Sequence, residues 1–151
     1  MADSEALITP RLLEALYTEA MVLTDEARSY FESGRFSDEC KDNTALPVSF
    51  SCESLKVTTR LMHCIAWLLN QRALHSGELT EGEAWNCNRE LGYAAASDRS
   101  MVVLFPQDAR NIIDASEDLF HRLQRLSARL DYQGIPEPPV HDMFRRLQTT
   151  F

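Results

Sequence analysis

Four histidines (His63, His75, His121, His141) and four cysteines (Cys40, Cys52, Cys64, Cys87) are the side chains best suited to acid–base, nucleophilic or metal chemistry. Their spacing favours none of it. No two cysteines form a C-x-x-C pair and no two histidines stand one helical turn apart, so a tetrahedral metal site has no local half to build from. Gly-rich phosphate loops, nucleophile elbows and H-E-x-x-H patterns are absent, and five glycines leave little material for a tight backbone site. His63 falls on the polar arc of its helix and His121 opposite the apolar stripe of another, so both read as solvated helix residues. Cys64 lies on an apolar arc and reads as a small buried hydrophobe. The sequence predicts no enzyme, no metal and no cofactor.

Two other side chains ask for an explanation. At about 100° per residue, Leu55, Val57, Leu61, Met62, Cys64, Ile65, Ala66, Leu68, Leu69 and Ala73 sweep roughly 200° of a helix over residues 55–79, twice the width of one buried stripe. Such a helix needs two partners. Arg72 falls inside that arc, where a cation requires a counter-charge, and Glu19, Glu26 or Glu117 are the available acceptors. Its expected role is to fix helix register or a dimer, beside Leu61, Ile65 and Leu68, and Arg72→Ala is expected to cost about 3 kcal/mol. Trp67 sits on the opposite arc with Lys56, Arg60, His63, Gln71 and Leu74, a mixed aromatic and basic patch. An exposed indole suits partner contact, and an acidic regulator would suit this one; the alternative is that a neighbouring segment of the chain covers it.

The same stretch carries a resemblance. Thr58–Met62 (T-T-R-L-M), Trp67–Leu69 (W-L-L), Gln71–Ala73 (Q-R-A) and Gly77-Glu78, in that order, closely resemble the alphaproteobacterial regulator-of-CtrA-degradation family. A weaker echo runs through Leu119-Phe120, Arg122-Leu123, Arg125-Leu126 and Arg129-Leu130-Asp131. The resemblance implies a small helical-bundle protein, dimeric, that acts as a proteolytic adaptor and helps deliver cell-cycle regulators to the ClpXP protease. It implies response-regulator and protease components as partners, a role for a flexible carboxy-terminal tail, and a place at the cell pole.

Composition sets outer limits. A chain of 151 residues, 44% hydrophobic, can bury one core and is expected to form one domain. A net charge of −8 speaks against nucleic acid as a partner, since that affinity rests on phosphate neutralisation by a basic face. No run of about 18 apolar residues predicts a membrane span, and the start MADSEALITP has no secretory character. Free thiols in a cytoplasm are the expectation.

These residues must be positioned by a few helices. Thr9-Pro10 is a helix start, with a hydroxyl to cap free amides and a proline preset for the first turn, and the pattern from Leu12 to Phe31 ends near Gly34. Residues 35–50 lose periodicity and read as a connection closed by Pro47, Val48 and Phe50, with the second helix starting near Ser51 and stopping near Gly77. Thr80-Glu81-Gly82-Glu83 is a capping-box pattern that predicts a short helix ending by Gly92. Met101–Phe105 is expected as an extended lid across the bundle. A third long helix begins around Pro106–Asp108 and shows Ile112, Ile113, Leu119, Phe120, Leu123, Leu126 and Leu130 on one face, with Ser116 and Ser127 inside it. Arg122, Arg125 and Arg129 form a basic line on its outer face, expected to hold only weak ion pairs.

After Gly134, Pro136, Pro138 and Pro139 make a stiff spacer. Beyond it Val140, Met143, Phe144 and Leu147 recur at helical spacing beside Arg145 and Arg146. This tail either docks on its own bundle or dimer partner, or orders in a partner's groove with Met143, Phe144 and Leu147 as anchors. The expected molecule is all-α: an antiparallel three-helix bundle over residues 1–134, with a short extra helix and an extended segment between the second and third long helices, and a disordered tail over 135–151. Surplus apolar surface on the second helix implies a homodimer. Its expected work is to hold other proteins together, as an adaptor for ClpXP proteolysis or as a dimeric regulator of a transcription or signalling protein without a protease.

Overall fold

Thr9 caps the first helix, its hydroxyl accepting from the Leu12 amide at 3.1 Å, and Pro10 occupies the first turn, where a missing N–H costs nothing. Helix α1 then runs Pro10–Glu32, and Gly34 takes a positive φ of 67° just past its end. Its buried stripe is Leu13, Leu16, Ala20, Leu23 and Ala27, one face as the periodicity requires. The structure, a computed structural model, describes residues 8–34, 45–78, 91–134 and 147–148.

Helix α2 spans Ala45–Ser76 and starts about a turn and a half earlier than the sequence suggests. Pro47 lies inside its first turn; the N–H it lacks is one that no helix start can satisfy internally, so Pro47 ends nothing there. Asp98 caps a four-residue helix α3, Arg99–Val102, by accepting from the amide and hydroxyl of Ser100. Helical winding thus replaces the extended conformation expected for Met101–Phe105, and a turn puts Val102 and Phe105 into the core. The non-helical segment is instead residues 91–98. Helix α4 runs Gln107–Gly134 and buries Ala109, Ile112, Ile113, Ser116, Leu119, Phe120 and Leu123. The described residues are all-α, with no strand among them; the expected short helix before Gly92 and most of the tail lie outside them.

The directions of the helices follow from their contacts. Arg72 reaches Glu14 at one end of α2 and Phe50 meets Phe31 at the other, so α2 runs antiparallel to α1. Arg122 pairs with Glu19 while Asp108 and Asn111 line a groove with Asp25 and Glu26, so α4 also opposes α1. Helices α2 and α4 are therefore parallel to each other, consistent with Phe50 against Phe105 and Arg60 against Ser116. Two parallel helices require the chain to return the length of the bundle between them. Residues 91–98 are part of that return, and they determine what becomes of the expected partner patch.

Candidate interaction surfaces

Two opposite faces of α2 behave differently from their hydrophobicity. On one, the returning segment binds a polar hub. Arg60 is only 1% exposed; its guanidinium donates to the Ser116 hydroxyl at 3.1 Å, the Ala95 carbonyl at 2.9 Å and the Ser97 hydroxyl at 2.7 Å, and it lies 3.4 Å from Glu117. Glu117 accepts from the Ser97 amide and pairs with Arg99; Glu53, also buried, accepts from the Asp98 amide and from Lys56, each at 3.0 Å. A segment without helix or sheet has free backbone groups, and this hub satisfies three of them. Gly92 lies against the His63 ring so closely that a Cβ there would overlap it.

The hub holds its carboxylates ionised, although Glu53 Oε2 has no hydrogen-bond partner among the described residues. Burial pushes the Glu53 carboxyl up, but Ser97, the Asp98 amide and Lys56 outweigh it and hold it below the ordinary carboxylate value. Burial likewise works against ionised Glu117, and the Ser97 amide, Arg99 and Arg60 reverse the balance. Burial draws Arg60 below its usual value, opposed by Glu117 and Glu53.

The six residues expected to greet a partner therefore largely serve the fold. Arg60 and Trp67 are buried, Trp67 at 2% exposure, and Lys56, His63, Gln71 and Leu74 are half-buried. Of the two fates open to Trp67, it is the covered one that the structure shows; its indole N–H has no hydrogen-bond partner among the described residues. Leu61 and Leu68 pack in the protomer's own core instead of reaching a second copy, and Ile65 lines a groove between α1 and α2. Arg72 is the clearest reversal. Its side chain is 41% exposed, lies over the Tyr17 ring at 4.6 Å and pairs with Glu14 at 3.5 Å, none of the acceptors expected for it. Glu19 serves Arg122, and Glu117 serves Arg60 and Arg99. Leu147 is exposed; Met143 and Phe144 lie outside the described residues.

Cys64 is fully buried and its thiol is pushed up to about 12 by burial, so it is a packing residue. Among the described residues no three of His, Cys, Asp and Glu gather as a metal site, and no helix is long and apolar enough to cross a membrane.

The other face of α2 points to water and is apolar. Val48, Leu55, Met62 and Leu69, each 45–67% exposed, recur every seven residues. Between them stand Cys52, Thr59 and Ala66, also exposed, and Ala73, half-buried. Spacings of four and three alternate along the whole set, which is the pattern of a coiled-coil seam. The seam covers about 38 Å of helix at 1.5 Å per residue. Sequence reasoning placed Leu55, Met62, Ala66, Leu69 and Ala73 in one broad arc with core residues and Val48 in the connection before the helix; the seven-residue interval is the signal that separates the seam from the core.

Beside the seam, Ala27, Phe31, Leu61, Met62 and Ile65 floor the α1–α2 groove, about 300 Å³ in volume. A second groove of about 490 Å³, between α1 and the start of α4, carries Asp25, Glu26 and Asp108.

No curated protein and no solved structure matches the chain. One family profile, described as a protein of unknown function (DUF1465), matches residues 4–151. Nearly the whole chain is covered by that match, and the protein belongs to the DUF1465 family.

Proposed function

We propose that this protein is a non-enzymatic interaction module that works as a homodimer in the cytoplasm and serves as an adaptor in regulated ClpXP-type proteolysis of cell-cycle regulators. The observation that carries the interaction reading is the seam on α2. Four large apolar side chains held in water at seven-residue intervals cost solubility and contribute nothing to the protomer's own core.

The proteolytic part of the reading rests on the resemblance carried by Thr58–Met62, Trp67–Leu69 and Gln71–Ala73. Its chemistry would be tethering: an adaptor raises the local concentration of a client at the protease without making or breaking a bond. The tail, with a Pro-rich spacer before Met143, Phe144 and Leu147, suits a segment that orders on a partner.

Affinity capture from native cytoplasm tests this, comparing the full chain with a version ending at Gly134. Recovery of protease components or response-regulator proteins, reduced for the shortened form, is the expected result. A reproducible partner with no protease component would remove the proteolytic role and move the function to a dimeric regulator of that partner.

A further inference from the structure

We infer that two copies pair through the α2 seam in antiparallel fashion, with Val48 on the partner's Ala73, Cys52 on the partner's Leu69, Leu55 on the partner's Ala66 and Thr59 on the partner's Met62. The inference rests on the homodimer reading above and specifies its geometry.

The reason lies in the sizes of the seam residues. Every first position of the repeat is small (Cys52, Thr59, Ala66, Ala73) and every second is large (Val48, Leu55, Met62, Leu69). In a parallel, in-register pair each layer would stack a residue on its own copy. Large layers would then alternate with small ones, and the spacing set by Leu55 and Met62 would leave voids beside Thr59 and Ala66. Interiors do not tolerate such voids without cost. Reversing one helix puts one large and one small residue in every layer, so a single interhelical distance fills them all. The register given is the one in which all eight positions find a partner.

Several observations agree. Seven of the eight residues are exposed, and the helix face that carries them is the one turned away from the hub. A two-fold axis between Thr59 and Met62 makes the contact self-complementary and closed, so association stops at two. Because α4 runs parallel to α2, the two chains would leave the assembly at opposite ends.

The test uses the full chain carrying Leu55→Cys and Ala66→Cys, in a background with Cys52→Ser. Light scattering reports the oligomer, and mild oxidation followed by peptide mass mapping reports which cysteines met. The expected result is a dimer whose dominant cross-link joins residue 55 to residue 66 of the other copy, since a disulfide needs Cβ atoms within about 4.5 Å. A dimer linked 55 to 55 and 66 to 66 would overturn the orientation and leave the dimer standing. A dimer with no link at either position would overturn the seam as its interface. A monomer for the unsubstituted chain, measured alongside, would remove the homodimer reading itself. Ala66→Leu gives a second readout: overpacking against the partner's Leu55 weakens an antiparallel dimer, whereas in a parallel pair the same change fills a void and tightens it.

Discussion

Removing the Arg60 guanidinium tests whether the hub holds the fold. Arg60→Ala deletes three hydrogen bonds and a 3.4 Å ion pair at a side chain 1% exposed. Breaking a buried pair costs about 3–5 kcal/mol, chiefly through the charge left behind. Here Glu117 keeps Arg99 and the Ser97 amide, so the lower end applies, about 3 kcal/mol. For a chain of this size about 1 kcal/mol moves Tm by 2–4 °C, giving a fall of about 6–12 °C. Arg72→Ala should do far less, about 1 kcal/mol or under, because that side chain is 41% exposed and its ion pair with Glu14 is a surface one. Thermal and urea unfolding of both variants, with hydrogen exchange at the amides of Ser97 and Asp98, measures the difference. Those amides should exchange faster in Arg60→Ala, since it loosens the segment they anchor. A loss under about 0.5 kcal/mol for Arg60→Ala, or a loss for Arg72→Ala exceeding that of Arg60→Ala, would refute the assignment of the structural arginine, given that surface changes stay within about 0.5 kcal/mol.

Gly92→Ala should destabilise by about 1–2 kcal/mol through overlap with the His63 ring, and His63→Ala in the same chain should recover most of it in urea unfolding. Glu53 and Glu117 are held below their unfolded-state values, so their contribution is complete above the ordinary carboxylate range and is lost as pH falls through the lower folded values. Unfolding measured against pH should show stability dropping on that acid side, with a shallower drop in Glu53→Gln. Under native conditions a thiol reagent should leave buried Cys64 untouched; its reaction at Cys64 in folded protein would contradict the packing described.

Helices α1 and α4 were legible because each buries one face, and a wheel finds one face without knowing what lies against it. The serines inside the α4 stripe, Ser116 and Ser127, are buried where periodicity puts them. Helix α2 misled because two apolar surfaces merge on its wheel, and hydrophobicity says nothing about which half meets the same chain. The choice was made from far away in sequence: Glu53 and Arg60 could go inside because Ser97, Asp98 and Glu117 arrive to satisfy them. With that side buried, Trp67 followed it in and Met62 was left outside. Arg72, inside the apolar arc by angle, is long enough to carry its guanidinium out over the Tyr17 ring and leave the side chain 41% exposed. Glu53 and Arg60, seven residues apart and so on one face, were the available clue.

The parallel run of α2 and α4 also bears on how the chain reaches this state. Contacts between α1 and α2 join residues adjacent across one connection, so that hairpin closes a short loop and can form early. Helix α4 can dock only after the chain has travelled back the length of α2, and its partners lie more than fifty residues upstream, as Ser116 is from Arg60. In a two-helix intermediate Arg60 would still be hydrated. Docking of α4 with its leading segment is then the step that strips water from the guanidinium and supplies its replacements together. If that docking limits the rate, substitutions at Ser97 or Ser116 slow folding more than they speed unfolding, which stopped-flow refolding measures.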